Sequence, residues 1–284
     1  MVVVNLILII FSTNVVCIIF RILKFIEFKS KRPITLLTLF LHVSDGIAGF
    51  YLVTLAIIHV YYEGWYLQVS QVWISSLLCR MIGGVIWLSI QLSSITVFSI
   101  SLNKMYLVWK PFQRPPMKMK HFLSLCSVIT LVIVLQIILQ TQFELLNQDK
   151  FCLWINVNFV QNPATMIYSC FVMLEVVSNM LCMIGVFILN MTAVYLARKS
   201  CLDARREKTK SDIAFARQTI IMAFTCLPPW SVMLLFSTLC LSGYNTDSRV
   251  MAWLVVGGVS VSPVINPVLY TLSTRQYREW FSNK

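Results

Sequence analysis

Seven long apolar segments, separated by short charged ones, constrain the fold of this chain more than any other feature. A helix needs about 20 mainly apolar residues to cross a bilayer, and in lipid it satisfies all of its own backbone polar groups. The pattern therefore predicts an all-α membrane protein built as a seven-transmembrane helix bundle. The predicted spans cover roughly residues 2–23, 33–60, 76–109, 119–143, 164–197, 208–240 and 249–271.

The composition agrees with a membrane protein and argues against a soluble one. The chain is 58% hydrophobic and only 12% charged, whereas soluble domains average about 25% charged residues. Its net charge of +12 would suggest nucleic acid as the partner of a soluble protein. Here the basic residues lie between apolar spans, so they indicate topology and contact with anionic membrane lipids rather than nucleic acid.

The distribution of basic residues predicts the orientation. Twenty of the 23 lie after spans one, three, five and seven, and the other three are Arg80, Lys150 and Arg249. Because positive loops stay in the cytoplasm, we expect the N-terminus outside and the C-terminus inside. The last residues, 273–284, are basic and aromatic, and they predict a short amphipathic eighth helix on the inner leaflet.

The stretch from Cys79 to Phe112, which contains span three, is expected to be the central helix. It is longer than the bilayer requires, so it is tilted or projects into the cytoplasm. Ser89, Ser93 and Thr96 are three and four residues apart and so share one face. A long helix with small polar residues on one face suits a hub for other spans. The alternative is an ordinary span in which the serines have no special role.

Asp45 is the most informative single residue. An acid in mid-membrane costs about 2.5–3.5 kcal/mol on insertion scales, so its side chain should face the bundle interior. We interpret it as an interior ion or proton site, with Asn14, Ser93 and Asn266 as candidate partners. The alternative is a structural hydrogen-bond node.

Two cysteines lie on the predicted outer side. Cys79 opens span three and Cys152 lies in the next outer loop, whereas the other seven cysteines lie in spans or on the cytoplasmic side. A disulfide persists in an oxidising compartment, so a Cys79–Cys152 bridge is expected. Two free thiols are the alternative.

Prolines mark two spans as places where the helix bends. Pro228 and Pro229 in span six remove backbone donors and kink the helix beside Trp230, and Pro267 frees a carbonyl in span seven. A kinked helix swings its cytoplasmic half when the contacts below the bend change.

Glu175 in span five is either a pocket acid or a structural partner.

Together these features resemble rhodopsin-like (class A) G-protein-coupled receptors, and most of all the relaxin-receptor branch of the leucine-rich-repeat-containing hormone receptors. The resemblance implies a receptor domain at 1–272 and a cytoplasmic helix and tail at 273–284, in the plasma membrane. It also implies that a peptide or protein hormone is captured outside. The motifs that carry the resemblance to the class are Asn14, Ser44-Asp45, Cys79 with Cys152, Trp230 beside prolines, and Asn266-Pro267-Val268-Leu269-Tyr270. The resemblance to the relaxin-receptor branch is carried by the stretches Gly64–Cys79, Asn103–Phe112 and Asn266–Arg275.

The resemblance also implies a role for each motif. Asp45, Ser93 and Asn266, with Asn14, would form an interior sodium and water site, with no other cofactor or metal. Trp230 would be a packing toggle at the Pro228-Pro229 bend. Pro267 and Tyr270 would be an inner switch. The receptor would not be an enzyme.

The segment expected to face the heterotrimeric G protein departs from the family. The usual acid–arginine–tyrosine triplet reads Asn103-Lys104-Met105 here. Lysine lacks the planar fork of arginine, and asparagine cannot form an ion pair. We therefore expect a weaker lock on the inactive state.

The expected ligand pocket is lined by Ile86, Gln91 and Glu175, among mostly apolar neighbours. Ile86 stands where amine receptors keep an aspartate, which argues against an amine ligand.

Three other functions are alternatives to this receptor. A receptor of this fold that couples weakly or acts as a decoy remains open. A transporter or channel would need repeated halves or several intramembrane charges. An enzyme would need a nucleophile–base pair or a metal cluster, but His42, His59 and His121 are scattered.

Overall fold

The structure, a computed structural model, is all-helical over the spans that it describes, apart from short turns at their ends. It describes continuous segments from three of the predicted spans and isolated helical residues from the other four. Most of spans one, four, six and seven, and the predicted eighth helix, lie outside the described residues. Those described are 11–12, 15–16, 18–19, 22, 33–62, 72–73, 75–109, 124, 127–128, 131–132, 135, 163–203, 220, 231–232, 235, 238–239 and 266.

Three long helices correspond to predicted spans two, three and five. Helix α1 is Pro33–Tyr61, α2 is Leu77–Trp109 and α3 is Pro163–Asp203. Each contains a stretch long and apolar enough to cross a membrane: Leu36–Ile58, Leu77–Tyr106 and Met173–Leu196. These helices confirm a membrane protein of the all-α class for the described part of the chain.

The helix ends follow local sequence signals. Helices α1 and α3 begin at a proline, which is tolerated there because the first backbone N–H has no partner within the helix. Before α2, the Ser76 hydroxyl accepts the backbone N–H of Cys79 at 3.2 Å and caps the first turn. Helix α3 ends at Asp203, six residues beyond the prediction. The predicted end marked where the apolar residues stop, but a helix need not stop there.

Helix α2 is the centre of the described bundle, as predicted. It packs against both α1 and α3. The buried share of its membrane stretch is 61%, against 50% for α1 and 33% for α3. The side of α3 away from α2 presents an exposed row of Leu174, Leu181, Ile188 and Tyr195, seven residues apart, which suits contact with lipid.

Glycines let neighbouring helices come close at three described positions, Gly46, Gly49 and Gly185. A Cβ atom at Gly49 of α1 would lie 3.3 Å from Cδ2 of Phe11 in span one. A Cβ atom at Gly185 of α3 would lie 2.8 Å from Cε2 of Phe98 in α2, which is too short for a real contact. The Phe98 ring therefore fits into a notch at Gly185 and fixes how α3 lies along α2.

We predict that Gly185→Val destabilises the bundle, because the new side chain and the Phe98 ring need the same space. Overpacking typically costs about 1–3 kcal/mol. The thermal unfolding midpoint of the purified protein should fall, and adding Phe98→Leu should restore part of the loss. If Gly185→Val unfolds at the wild-type temperature, the notch does not exist.

Candidate functional site

The buried residues of α2 include many polar side chains, whereas many exposed residues of α1 and α3 are apolar. Eight polar residues of α2 are at most 8% exposed: Ser89, Gln91, Ser93, Ser94, Thr96, Ser99, Ser101 and Asn103. This inverts the pattern of a soluble helix. Lipid offers no hydrogen bonds, so polar side chains find partners only inside the bundle.

The centre of the candidate site is a direct contact between two helices that are distant in sequence. The side-chain amide of Asn266 donates to Oδ2 of Asp45 at 2.7 Å. Both residues are buried, at 0% and 1% exposure, respectively. The Ser93 hydroxyl of α2 faces the same carboxylate, although it completes no regular hydrogen bond.

The structure thus brings Asp45, Asn266 and Ser93 together. Asn14, the fourth predicted member, lies outside the described residues. A carboxylate, a carboxamide and a hydroxyl can supply only hard oxygen ligands. In the described part of the chain, no cluster of three or more His, Cys, Asp or Glu side chains is placed to hold a metal ion.

A reciprocal serine pair fastens α1 to α2 beside this carboxylate. The Ser44 hydroxyl donates to the backbone carbonyl of Ser89 at 2.5 Å, and the Ser89 hydroxyl donates to the carbonyl of Ser44 at 2.6 Å. Both side chains are buried. Ser44 directly precedes Asp45, so the pair fixes the turn of α1 that carries the carboxylate. We name it the serine clasp.

The sequence placed both serines but did not predict the clasp. Ser44 was noted as the neighbour of Asp45, and Ser89 as part of the polar face of span three. The available signal was a small hydroxyl residue in each of two facing spans, which permits close approach of the backbones. Choosing the right pair requires the relative rotation of the two helices.

A second polar contact joins α2 to α3 and was not predicted. The Asn190 amide donates to the Ser101 hydroxyl at 2.8 Å and to the Val186 carbonyl at 2.7 Å. The Ser101 hydroxyl in turn donates to the Val97 carbonyl at 2.9 Å. The signal was a strongly polar side chain in the apolar body of span five, which needs a partner on another helix.

The triplet expected to face the G protein lies at the Trp109 end of α2. Asn103 is 1% exposed, and its amide donates to the Ser99 carbonyl of its own helix at 3.0 Å. Lys104 and Met105 are half-buried. Asn103 is therefore held within α2 and points into the bundle, while the next two side chains reach its boundary.

The residues predicted for the ligand pocket are only partly brought together. Ile86 and Gln91 are both buried. They are five residues apart, so helical geometry places them about 140° apart around α2, facing different neighbours. Glu175 is half-buried in α3, where its backbone carbonyl accepts hydrogen bonds from Ser178 and Asn179 at 2.8 and 2.9 Å.

Cys79 is buried and disulfide-bonded. Its predicted partner, Cys152, lies outside the described residues, so that pairing stays a prediction. The same holds for the roles predicted for Pro228, Pro229, Trp230, Pro267 and Tyr270, which are also outside the described part.

Comparison with known proteins points to receptors. No protein-family model matches the chain. The G-protein coupled receptor GRL101 of Lymnaea stagnalis is 25% identical over 256 residues, which cover 88% of this chain and 23% of that receptor. Human relaxin receptor 1 is 24% identical over 251 residues, covering 83% of this chain and 32% of the receptor. Human relaxin receptor 2 is 21% identical over 243 residues.

The homologues of this membrane protein are thus G-protein-coupled receptors. They are of the leucine-rich-repeat and relaxin-receptor type, which confirms the resemblance drawn from the sequence motifs. The chain spans 23% of the length of GRL101 and 32% of the length of relaxin receptor 1. They are receptors and not enzymes.

We predict that Ser89→Ala destabilises the bundle, because it removes one half of the serine clasp. Hydrogen bonds between membrane helices contribute about 0.6 kcal/mol on average and at most about 1.7 kcal/mol. Thermal unfolding should show a loss of this size.

Ser99→Ala is the matched control. Ser99 is equally buried on the same helix, but its hydroxyl has no hydrogen-bond partner among the residues that the structure describes. Its removal should cost nothing or stabilise slightly. Equal losses for the two variants would contradict the clasp.

Proposed function

We propose that this chain is the transmembrane domain of a G-protein-coupled receptor that passes an extracellular signal to a heterotrimeric G protein. The observation that carries the proposal is the buried contact between Asp45 and Asn266 inside a bundle of apolar helices. The similarity of 83–88% of the chain to receptors supports it. The signal is a peptide or protein hormone, and relaxin-like peptides are the first to test, given the names of the relatives.

The mechanism is a shift between two forms of the bundle. A hormone that binds the active form better than the resting form increases the population of the active form. Span six then bends outward at Pro228 and Pro229, beside Trp230, and opens an inner cleft. Lys104, half-buried at the end of α2, and Tyr270 border that cleft.

The interior polar contacts make two discrete forms reasonable. A buried hydrogen bond is either made or replaced, since an unmade one costs about 1–3 kcal/mol. The Asp45–Asn266 contact joins α1 to span seven, and the serine clasp joins α1 to α2. Movement of span seven is therefore transmitted through α1 to the polar face of α2.

Sodium fits the polar site, and we propose that the receptor binds it there. Asp45 supplies the negative charge, and the Ser93 hydroxyl is a buried oxygen that faces it without a regular hydrogen bond. Carboxylate and hydroxyl oxygens suit a hard cation. The bound ion would stabilise the charge of the buried carboxylate, while Asn266 holds one of its oxygens.

The location that we propose is the plasma membrane, with the N-terminus outside and the C-terminus in the cytoplasm. The concentration of basic residues in alternate loops supports this orientation.

A receptor that binds its ligand but couples weakly is the second candidate. The observation in its favour is Asn103, whose amide bonds to its own helix in place of an ionic lock. A bundle without that lock switches with less contrast between its two forms.

The decisive experiment measures nucleotide exchange on purified heterotrimeric G proteins of each class. The full-length receptor is reconstituted in lipid nanodiscs and titrated with relaxin-like peptides. We expect exchange on at least one class to exceed that with empty nanodiscs, and to rise with an effective peptide. Binding without any exchange would support the weakly coupling receptor. The absence of both binding and exchange would contradict the proposal.

We predict that Asp45→Asn reduces the sensitivity of exchange to sodium, because it removes the charge but keeps an acceptor for Asn266. Exchange should be compared in sodium chloride and in choline chloride at equal ionic strength. Glu175→Gln is the control, since it neutralises an acid in a different span, and it should leave the sodium response unchanged. An unchanged response in Asp45→Asn would argue against the sodium site.

A further inference from the structure

We propose that Asn190 is a positioning residue for G-protein coupling. It acts through Ser101 on the turn of α2 that carries Asn103, Lys104 and Met105. The hydrogen bond between Asn190 and Ser101 holds the C-terminal halves of α2 and α3 together and keeps resting activity low. This inference rests on the proposed function, and it names a residue that regulates the coupling segment, Asn103-Lys104-Met105.

The contact is a chain of three groups across the helix interface. The Asn190 amide donates to the Ser101 hydroxyl at 2.8 Å, and that hydroxyl donates to the Val97 carbonyl at 2.9 Å. The same amide nitrogen also donates to the Val186 carbonyl of α3 at 2.7 Å. Asn190 and Ser101 are 0% and 1% exposed. We call this chain the α2–α3 latch.

The latch lies at the right place to position the coupling segment. Ser101 is two residues before Asn103, so both belong to one turn of α2. Helical geometry puts them on opposite sides, about 160° apart. Asn103 is tied to Ser99 within α2, and Ser101 is tied to α3. The orientation of this turn is therefore set by the latch.

Packing one turn away makes the latch sensitive to movement. The Phe98 ring fits the notch at Gly185, and Asn190 lies five residues further along α3. On both helices, the latch lies on the C-terminal side of the contact between Phe98 and Gly185. A rotation or slide of α3 against α2 must therefore break the latch and displace the ring together, which favours two separate arrangements over a continuous range.

The buried environment gives the bond its effect on the equilibrium. When the cleft beside α2 opens, the ends of the helices move relative to each other and the amide loses its partner. The amide keeps the Val186 carbonyl of its own helix, but its other N–H is left without an acceptor. A buried N–H without an acceptor inside a bundle surrounded by lipid is unfavourable. The latch therefore favours the closed form, and its removal favours the open one.

Asn179 provides a matched control on the same helix. It is 1% exposed and lies eleven residues before Asn190 on the same buried face. Within the described part of the chain, its amide donates to the Glu175 carbonyl of its own helix alone, at 2.9 Å. Asn179→Leu thus removes a buried asparagine without breaking a bond between helices.

The experiment compares Asn190→Leu, Ser101→Ala, the double variant and Asn179→Leu in the full-length receptor. Basal nucleotide exchange should rise about threefold in Asn190→Leu, the factor expected for one hydrogen bond between membrane helices. The double variant should rise no further than Asn190→Leu alone. Asn179→Leu should match the wild type. Additive effects, or a fall in exchange, would overturn the proposal.

A second measurement separates this inference from the proposed function. Spin labels on noncanonical residues at positions 108 and 195 report the distance between the ends of α2 and α3. We expect a longer or broader distance distribution in Asn190→Leu but not in Asn179→Leu. If no G protein responds to the wild type while the distances change as expected, the coupling role fails and only the latch stands. Unchanged distances would overturn the latch itself.

Discussion

Polar side chains that are surrounded by lipid must find partners within the protein, and the Asp45–Asn266 hydrogen bond is the clearest case in this bundle. A carboxylate costs several kcal/mol in hydrocarbon, so Asp45 must lie inside wherever the rest of α1 is placed. Its partner at 2.7 Å comes from residue 266, at the far end of the sequence. The contact therefore joins two distant parts of the sequence, and it defines which side of α1 faces the interior.

Helix α2 extends the same logic by carrying two polar seams. One faces α1, where Ser89 takes part in the serine clasp and Ser93 faces Asp45. The other faces α3, where Ser101 receives the amide of Asn190. A helix with partners on two sides has few apolar positions left for lipid, which explains why α2 is the most buried of the three. The hydrogen bonds on both sides connect the polar site to the coupling segment through one rigid element.

Much of this site could be predicted from the sequence because the free-energy cost of a polar side chain in a span is evident from that span alone. One acid in a span is enough to place Asp45 inside, and the spacing of Ser89, Ser93 and Thr96 is enough to place them on one face. The pairing of Ser44 with Ser89, and of Asn190 with Ser101, could not be predicted in this way. Each pairing depends on how far one helix is rotated and shifted against another, and that is fixed by packing such as the Phe98 ring at Gly185. The extra length of α3 was missed for a related reason, since hydropathy marks the membrane and not the helix.

The most direct test of the central claim is a double-mutant cycle on Asp45 and Asn266, measured by thermal unfolding in lipid nanodiscs. Asp45→Ala and Asn266→Ala should each destabilise the protein, and the double variant should cost clearly less than the two losses combined, by about 0.5–3 kcal/mol. That coupling is expected if the two side chains are bonded inside the bundle. Losses that simply add would show that they do not meet, and the polar interior described above would be wrong.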